Sequence, residues 1–179
     1  KANVERYKIP IFYSNNIGAQ TELIFDGGSV IINQDGVIVD ELPYFQEEMR
    51  VYELDEVIAA KNSKEQPKND IDEIHQALIL GVRDYFGKLG LEKAIIGLSG
   101  GIDSAVTTVI AVEALGKENV RVLLMPSQFS SDHSVNDALE LAKNLGIEQN
   151  IIKIVKVYDA LKKELDPIFG DLPFDVTEE

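Results

Sequence analysis

Residues 99–104 read Ser-Gly-Gly-Ile-Asp-Ser and place two glycines, two hydroxyls and one carboxylate within six positions. Glycines let the backbone approach a ligand closely and adopt conformations that other residues avoid. Successive backbone amides in such a loop, followed by a helix N-terminus, form a site for an anion such as a phosphate. Ser99 and Ser104 add hydroxyl donors. The pattern therefore predicts a phosphate-binding loop.

Asp103 decides what kind of phosphate site we expect. A carboxylate beside a phosphate repels it unless a cation lies between them, and magnesium commonly takes one or two carboxylates together with phosphate oxygens. We therefore predict that Asp103 binds Mg²⁺. Two structural alternatives stay open: the segment is a tight strand-to-helix turn capped by serine, or Asp103 is the N-cap of the following helix.

Two familiar phosphate-binding motifs are absent from the sequence. The loop lacks the G-x-x-x-x-G-K-[ST] pattern with its lysine, and its glycines do not follow the G-x-G-x-x-G spacing of dinucleotide-binding folds. His133 is expected in the first turn of a later helix, where no partner at ligand spacing supports a metal site. Asp103 is therefore the metal ligand that we predict.

The loop must be held where a strand passes into a helix. Short apolar runs alternate with segments of helical period after residue 70, and this alternation predicts a parallel sheet with right-handed crossovers, a doubly wound α/β fold. Ligands in such sheets bind beyond the carboxyl ends of the strands, where this loop lies. The predicted strands are 94–98, 120–125 and 151–157. The predicted helices are 71–89, 105–115, one capped by Ser130 or Ser131 that runs to residue 145, and 158–166.

The first 58 residues have a different, β-rich pattern. Short β-branched or aromatic runs are separated by glycine-containing turns, which is typical of strands. Residues 59–70 are polar, contain a proline and show no apolar period, so they predict a linker. We therefore divide the chain into residues 1–58, a linker at 59–70, and residues 71–179. The strands predicted in the first part are 9–13, 21–25, 29–33 and 51–54.

Composition limits the partners that we expect. The formal net charge of −14 argues against binding to nucleic acid, which needs clustered Lys and Arg. The chain has no cysteine, so it contains neither a disulfide nor a thiolate metal site. No apolar run approaches the about 20 residues that a membrane span requires. The first eight residues are polar and mixed in charge, so we expect no signal peptide and a cytoplasmic location.

Two parts of the chain resemble known families. Ser-Gly-Gly-x-Asp-Ser after a strand resembles the pyrophosphate loop of the N-type ATP pyrophosphatases, which include NAD, GMP and asparagine synthetases and several tRNA-modifying ligases. Residues 97–105, 124–127, 130–131 and 174–179 resemble the NAD synthetases in particular. Residues 16–29 resemble the last strands of a nitrilase-type amidase domain. An amidase domain followed by this synthetase domain is the arrangement of the glutamine-dependent NAD synthetases.

That resemblance implies both a fold and a reaction. The fold would be an adenine nucleotide alpha hydrolase-like sheet, preceded by the C-terminal strands of a nitrilase-like α/β sandwich. The enzyme would activate the carboxylate of deamido-NAD with ATP, release pyrophosphate, and displace AMP with ammonia taken from glutamine. A homo-oligomer and Mg²⁺ at Asp103 are also implied, with Leu124 and Met125 near the adenine. The ATP-binding residues would be Gly97, Leu98, Ser99, Gly100, Gly101, Ile102, Asp103, Ser104, Leu124 and Met125.

The resemblance also has departures. The amidase family uses a Glu–Lys–Cys triad, which we expect upstream of Lys1, so the chain is predicted to be an internal piece of a longer enzyme with no catalytic residue of its own. Two alternatives stay open. One is another ligase of the superfamily, GMP synthetase-like or tRNA-modifying; the other is a non-catalytic nucleotide-binding module.

Overall fold

The computed structural model describes residues 2–67 and 69–169. The chain divides into two compact units, Lys1–Leu91 and Glu92–Glu179, called unit 1 and unit 2 below. Across the described ranges, no helix is both long enough and apolar enough to cross a membrane. Residues 174–179, which contribute to the resemblance to the NAD synthetases, lie outside the described residues.

Within its described residues, 2–67 and 69–91, unit 1 contains two small antiparallel sheets and three helices. One sheet has the order β1-β4-β5, and the other is the hairpin β2–β3. The elements are α1 (Ala2–Tyr7), β1 (Ile11–Tyr13), β2 (Ile17–Gln20), β3 (Leu23–Asp26), β4 (Val30–Ile32), β5 (Ile38–Glu41), α2 (Leu54–Ala59) and α3 (Asp70–Leu89).

Helix α3 packs against the hairpin β2–β3. Ile79 and Leu80 are buried, and a Cβ placed on Gly81 would lie 3.4 Å from Ile24 Cδ1, so the helix backbone comes close to the strands. The helix ends where Gly90 takes a left-handed conformation, a common helix terminus. The helix predicted at 71–89 is confirmed, and it belongs to unit 1.

Several expectations for the N-terminal part need correction. Val51–Leu54 was expected to alternate as a strand, but residues 51–53 form no strand and Leu54 begins α2. Strands β2 and β5 lie at positions where none was predicted. Within residues 16–29, Ile17–Gln20 pairs with Leu23–Asp26 as a two-stranded hairpin. The pairing satisfies backbone N–H and C=O groups of both strands.

The predicted linker is held in place by specific hydrogen bonds. Glu41 is 8% exposed and accepts the Gln66 N–H at 2.7 Å and the Tyr44 hydroxyl at 2.5 Å. Lys64 donates its N–H to Ile38 O at 2.9 Å. A polar segment without apolar period is therefore ordered by bonds to β5. The division of the chain at residues 59–70 stays a prediction. The chain passes from unit 1 to unit 2 between Leu91 and Glu92.

From residue 92 to residue 169, where the structure describes it, unit 2 is a three-stranded parallel sheet with helical crossovers, in the order β6-β7-β8. The predicted α/β class and parallel neighbours are confirmed. The elements are β6 (Ala94–Gly97), α4 (Ile102–Leu115), β7 (Val120–Leu124), α5 (Asp132–Leu145), β8 (Glu148–Ile151) and α6 (Val155–Phe169).

The core of unit 2 lies on one face of β7. Val120, Val122 and Leu124 alternate along the strand, so they share a face, and all three are buried. They pack with Ala111 of α4 and Ala138 of α5. Both helices therefore cover the same side of the sheet, as successive right-handed crossovers in one direction require.

The third strand was predicted at 151–157, and this prediction is wrong. Strand β8 spans Glu148–Ile151, and α6 has already begun at Val155. All four residues of β8 are exposed, because it pairs with β7 on one side within the described residues. An exposed edge strand needs no apolar run. The apolar segment at 151–157 therefore overlaps β8 only at Ile151, and the rest of it forms the connection to α6 and the start of that helix.

A fragment of residues 1–58 should not fold on its own, because it lacks the helix that covers β2–β3. We expect this fragment to aggregate, whereas residues 1–91 should remain soluble and unfold cooperatively in urea. Size-exclusion chromatography and circular dichroism of the two fragments test this. A sharp, cooperative transition in the 1–58 fragment would contradict the prediction.

Candidate functional site

The predicted phosphate-binding loop starts at the carboxyl end of β6. Leu98 is 3% exposed, and its N–H donates to Leu123 O at 2.9 Å, which extends the pairing of β6 and β7 by one residue. Residues 99–101 then turn the chain into α4. The loop therefore begins from a fixed point on the sheet, at the edge where ligands bind in parallel α/β folds.

The two serine side chains close the loop upon itself. Ser99 Oγ and Ser104 Oγ lie 3.1 Å apart. Ser99 Oγ accepts the Gly101 N–H at 3.2 Å, and Ser104 Oγ accepts the Ser99 N–H at 3.2 Å. Ser104 Oγ also lies 3.0 Å from Gly101 O, to which it can donate. These bonds fix the loop conformation, so the serines shape the site as well as bordering it.

The first turn of α4 is open to an anion. The N-cap position is occupied by Gly101, which has no side chain to bond the first N–H groups of the helix. Those groups point along the helix axis, where the helix dipole favours negative charge. The alternative in which Asp103 is the N-cap is wrong, because Asp103 is the second residue of the helix.

Asp103 is exposed on that first turn. Throughout residues 2–67 and 69–169, no three His, Cys, Asp or Glu side chains come together as a ready metal site. A single carboxylate next to the predicted phosphate site fits magnesium, which keeps several waters and takes its remaining ligands from phosphate oxygens. The Asp103 carboxylate is therefore suited to a metal ion that is also bound by the phosphate ligand.

Gly100 packs directly against the first turn of α5. Its φ angle is +86°, and a Cβ at this position would lie 2.2 Å from Ser134 O and 2.8 Å from Ser134 Cα. Any other residue would need both a strained backbone and a shift of the helix. The two adjacent glycines therefore have different roles. Gly100 allows α5 to pack closely, and Gly101 leaves the first turn of α4 without a side-chain cap.

A serine-rich segment after β7 completes this edge of the sheet, and it was absent from the predicted site. Ser131 caps α5 by accepting the Ser134 N–H at 3.2 Å, and the two hydroxyls lie 2.9 Å apart. Ser130 Oγ accepts the Ser127 N–H at 3.0 Å. The parallel order of β6 and β7 was the available signal, because it brings the segments that follow both strands to one edge.

Leu124 and Met125 occupy different environments. Leu124 is 2% exposed, and its side chain packs in the core, so it faces away from solvent. Met125 is 49% exposed, and its Cε lies 3.5 Å from the place of a Cβ on Gly97. Met125 therefore lies at the end of β6, whereas the side chain of Leu124 is part of the hydrophobic core.

His133 lies one residue before Ser134 and is tied to its own helix. Its Nδ1 lies 2.8 Å from Asp137 Oδ2, one turn later, and both side chains are largely exposed. The pair orients the imidazole beside the first turn of α5, as expected for a residue at i and a carboxylate at i+4.

Unit 1 has a separate cavity of about 480 Å³. It is lined by residues of the hairpin β2–β3, of the loops on either side of it and of the segment after β5, together with Lys88 of α3. None of its lining residues belongs to the phosphate-binding loop, so it is a different feature of the chain.

Comparison with known proteins identifies a matching family model and similar relatives. The NAD synthase family model matches residues 74–176. A glutamine-dependent NAD(+) synthetase from Synechocystis sp. is 47% identical to this chain. The match covers 99% of this chain and 32% of the length of that protein.

Two solved structures extend the comparison. The glutamine-dependent NAD+ synthetase of Acinetobacter baumannii, solved with adenosine diphosphate, is 37% identical with a TM-score of 0.87, over 99% of this chain and 34% of that one. An NH3-dependent NAD synthetase from Campylobacter jejuni, solved with nitrate, is 32% identical with a TM-score of 0.52, over 61% of this chain and 44% of that one. The chain spans about a third of the length of the curated relatives it matches.

The two loop glycines should differ sharply in their tolerance of a methyl group. Gly100→Ala should lower the free energy of unfolding by at least about 2 kcal/mol, because it combines a left-handed backbone with a clash against Ser134. Gly101→Ala is the matched control: its φ is −85° and its Cβ would lie 3.4 Å from Ser99 Oγ, an ordinary contact. Its cost should stay within about 1 kcal/mol. Urea unfolding measures both, and equal costs would contradict the assignment of Gly100 as the contact residue.

Proposed function

This chain belongs to the NAD synthase family, and from that premise we propose that it is part of an enzyme that amidates deamido-NAD at the expense of ATP. Glutamine is the proposed source of the ammonia. One observation carries the proposal: the loop at the carboxyl end of β6 is preformed, and it leads into a helix whose first turn is uncapped and bears an exposed carboxylate. That arrangement suits a pyrophosphate and a divalent cation.

The proposed reaction has two steps. A carboxylate oxygen of deamido-NAD attacks the α-phosphorus of ATP, the bond to the bridging oxygen of the β-phosphate breaks, and pyrophosphate leaves. Ammonia then attacks the acyl carbon of the adenylate, loses a proton, and AMP departs as the amide forms. Negative charge grows on pyrophosphate during the first step, so stabilising that group accelerates it.

The residues of this loop are assigned to holding pyrophosphate. The first-turn N–H groups of α4 face the leaving group, and the bonds between Ser99 and Ser104 keep them oriented without reorganisation. Asp103 is the proposed ligand of Mg²⁺, which neutralises charge on the phosphate oxygens when bound. The contact with the adenine is assigned to Met125, whose side chain is exposed at the end of β7, with Leu124 supporting it from the core.

Glutamine as the nitrogen donor is supported by the extent of the similarity. The glutamine-dependent relatives match nearly the whole chain, including the strands of unit 1, whereas the NH3-dependent relative matches a smaller share. We propose that unit 1 contributes strands to a nitrilase-like amidase whose Glu–Lys–Cys residues lie elsewhere in the enzyme. We also propose that the enzyme is a cytoplasmic homo-oligomer that binds neither nucleic acid nor membrane. The net charge of −14 supports the absence of nucleic-acid binding.

Asp103→Asn in the full-length enzyme tests the role of the carboxylate. The substitution keeps the shape of the side chain and removes its charge, so release of pyrophosphate at saturating magnesium should fall by about a hundredfold or more. The free energy of unfolding should be unchanged, because Asp103 caps no helix. Basal glutamine hydrolysis should also persist, since its residues are placed outside this chain.

Glu140→Gln provides a matched control, because it neutralises an exposed carboxylate in the middle of α5. This variant should keep the pyrophosphate release of the unmodified enzyme. Near-normal release by Asp103→Asn would refute the metal assignment.

A further inference from the structure

Two side chains of α3 bind both backbone polar groups of a single residue in β2. Asp84 Oδ2 accepts the Ala19 N–H at 2.7 Å, and the Lys88 ammonium donates to Ala19 O. Lys88 Nζ also lies 3.2 Å from Asp84 Oδ2, one helical turn away. We call these three residues the Ala19 clamp.

The clamp occupies the free edge of the hairpin. Ala19 pairs with Ile24 of β3 on one side of β2. Its N–H and C=O are bonded by the clamp on the other side, where an edge strand otherwise presents unpaired groups. Asp84 and Lys88 thus take the place of a neighbouring strand, so the helix is held at one defined position along β2.

The surrounding residues are small enough to allow this approach. Ala19 is 6% exposed. Gly18 has φ +136°, and a Cβ there would lie 3.1 Å from Asp84 Oδ2. The Ala19 N–H holds the pKa of the Asp84 carboxyl below its usual value, and Lys88 adds to that effect. The carboxylate is therefore charged while it accepts the bond, which makes the bond stronger than a neutral one.

The position of the clamp along the chain gives it significance beyond stability. The NAD synthase family model begins at residue 74, within α3, so Asp84 and Lys88 belong to the part of the chain that the model describes. Ala19 belongs to the hairpin that resembles an amidase. Residues 90–93 alone separate α3 from β6, whose carboxyl end carries the phosphate-binding loop.

We propose that the Ala19 clamp positions the start of the synthetase part on the amidase-like strands, so that amidation uses the ammonia released from glutamine. The inference rests on the proposed function. We assign Asp84 and Lys88 as positioning residues, which act through the helix that leads into β6. When the clamp is lost, the synthetase part still folds around its own core and still accepts ammonia supplied from solution.

The test compares two nitrogen donors in the full-length enzyme. NAD formation is measured with glutamine and with ammonium chloride, for the unmodified enzyme and for Asp84→Ala and Lys88→Met. Glutamine-driven synthesis should fall about tenfold in both variants, the change expected when a charge-assisted hydrogen bond is lost. Ammonia-driven synthesis should stay within about twofold, because the phosphate-binding loop is unchanged.

Two further variants sharpen the comparison. Asp84→Asn keeps an acceptor for the Ala19 N–H and loses the charge beside Lys88, so its glutamine-driven rate should lie between those of the unmodified enzyme and Asp84→Ala. Asp72→Asn, which neutralises an exposed carboxylate in the first turn of the same helix, should leave both rates unchanged.

The outcomes separate the inference from the function on which it rests. An unchanged ratio of the two rates in Asp84→Ala and Lys88→Met overturns the inference, whether both rates persist or both fall together with a lowered melting temperature. Failure of the unmodified enzyme to form NAD with either donor contradicts the proposed function itself. A selective loss of glutamine-driven synthesis supports both.

Discussion

The contact between Gly100 and Ser134 constrains the whole predicted phosphate site. No side chain fits between these two backbones, and the loop must pass this point in a left-handed conformation. The contact exists because β6 and β7 are parallel neighbours, so the segments that follow them emerge at the same edge. The loop, the first turn of α4 and the first turn of α5 are consequently fixed relative to one another before any ligand binds.

An acidic protein that binds a polyphosphate must supply the attraction locally. With a net charge of −14, long-range electrostatics oppose an anionic ligand. The uncapped first turn of α4 offers N–H groups at a helix terminus, and a cation at Asp103 would reverse the sign of the nearest charge. The internal bonds of Ser99 and Ser104 matter here, since an anion site made of backbone amides works only while those amides stay aligned.

Unit 1 shows how a segment with little apolar character becomes part of a fold. Residues 61–66 have no amphipathic period, yet Glu41 and Ile38 hold them through backbone N–H groups. Helix α3 has such a period and packs against the hairpin β2–β3, but the residues that it buries are Ile79 and Leu80. Composition places the domain boundary at the polar segment. The boundary between the compact units instead lies after α3, because that helix packs within unit 1.

The sequence alone determined those features that depend on local chemistry. The strand, glycine loop and helix at 94–115 were all predictable, because apolar runs, glycines and helical period act on neighbouring residues, and the parallel order followed from the alternation of elements. The sequence did not indicate that Leu124 would face the core, that β8 would be a polar edge strand, or that Ser134 would meet Gly100. Tertiary structure decided these, because burial, edge position and close contact between distant residues are set by which elements pack together, and no residue carries that information in its own type.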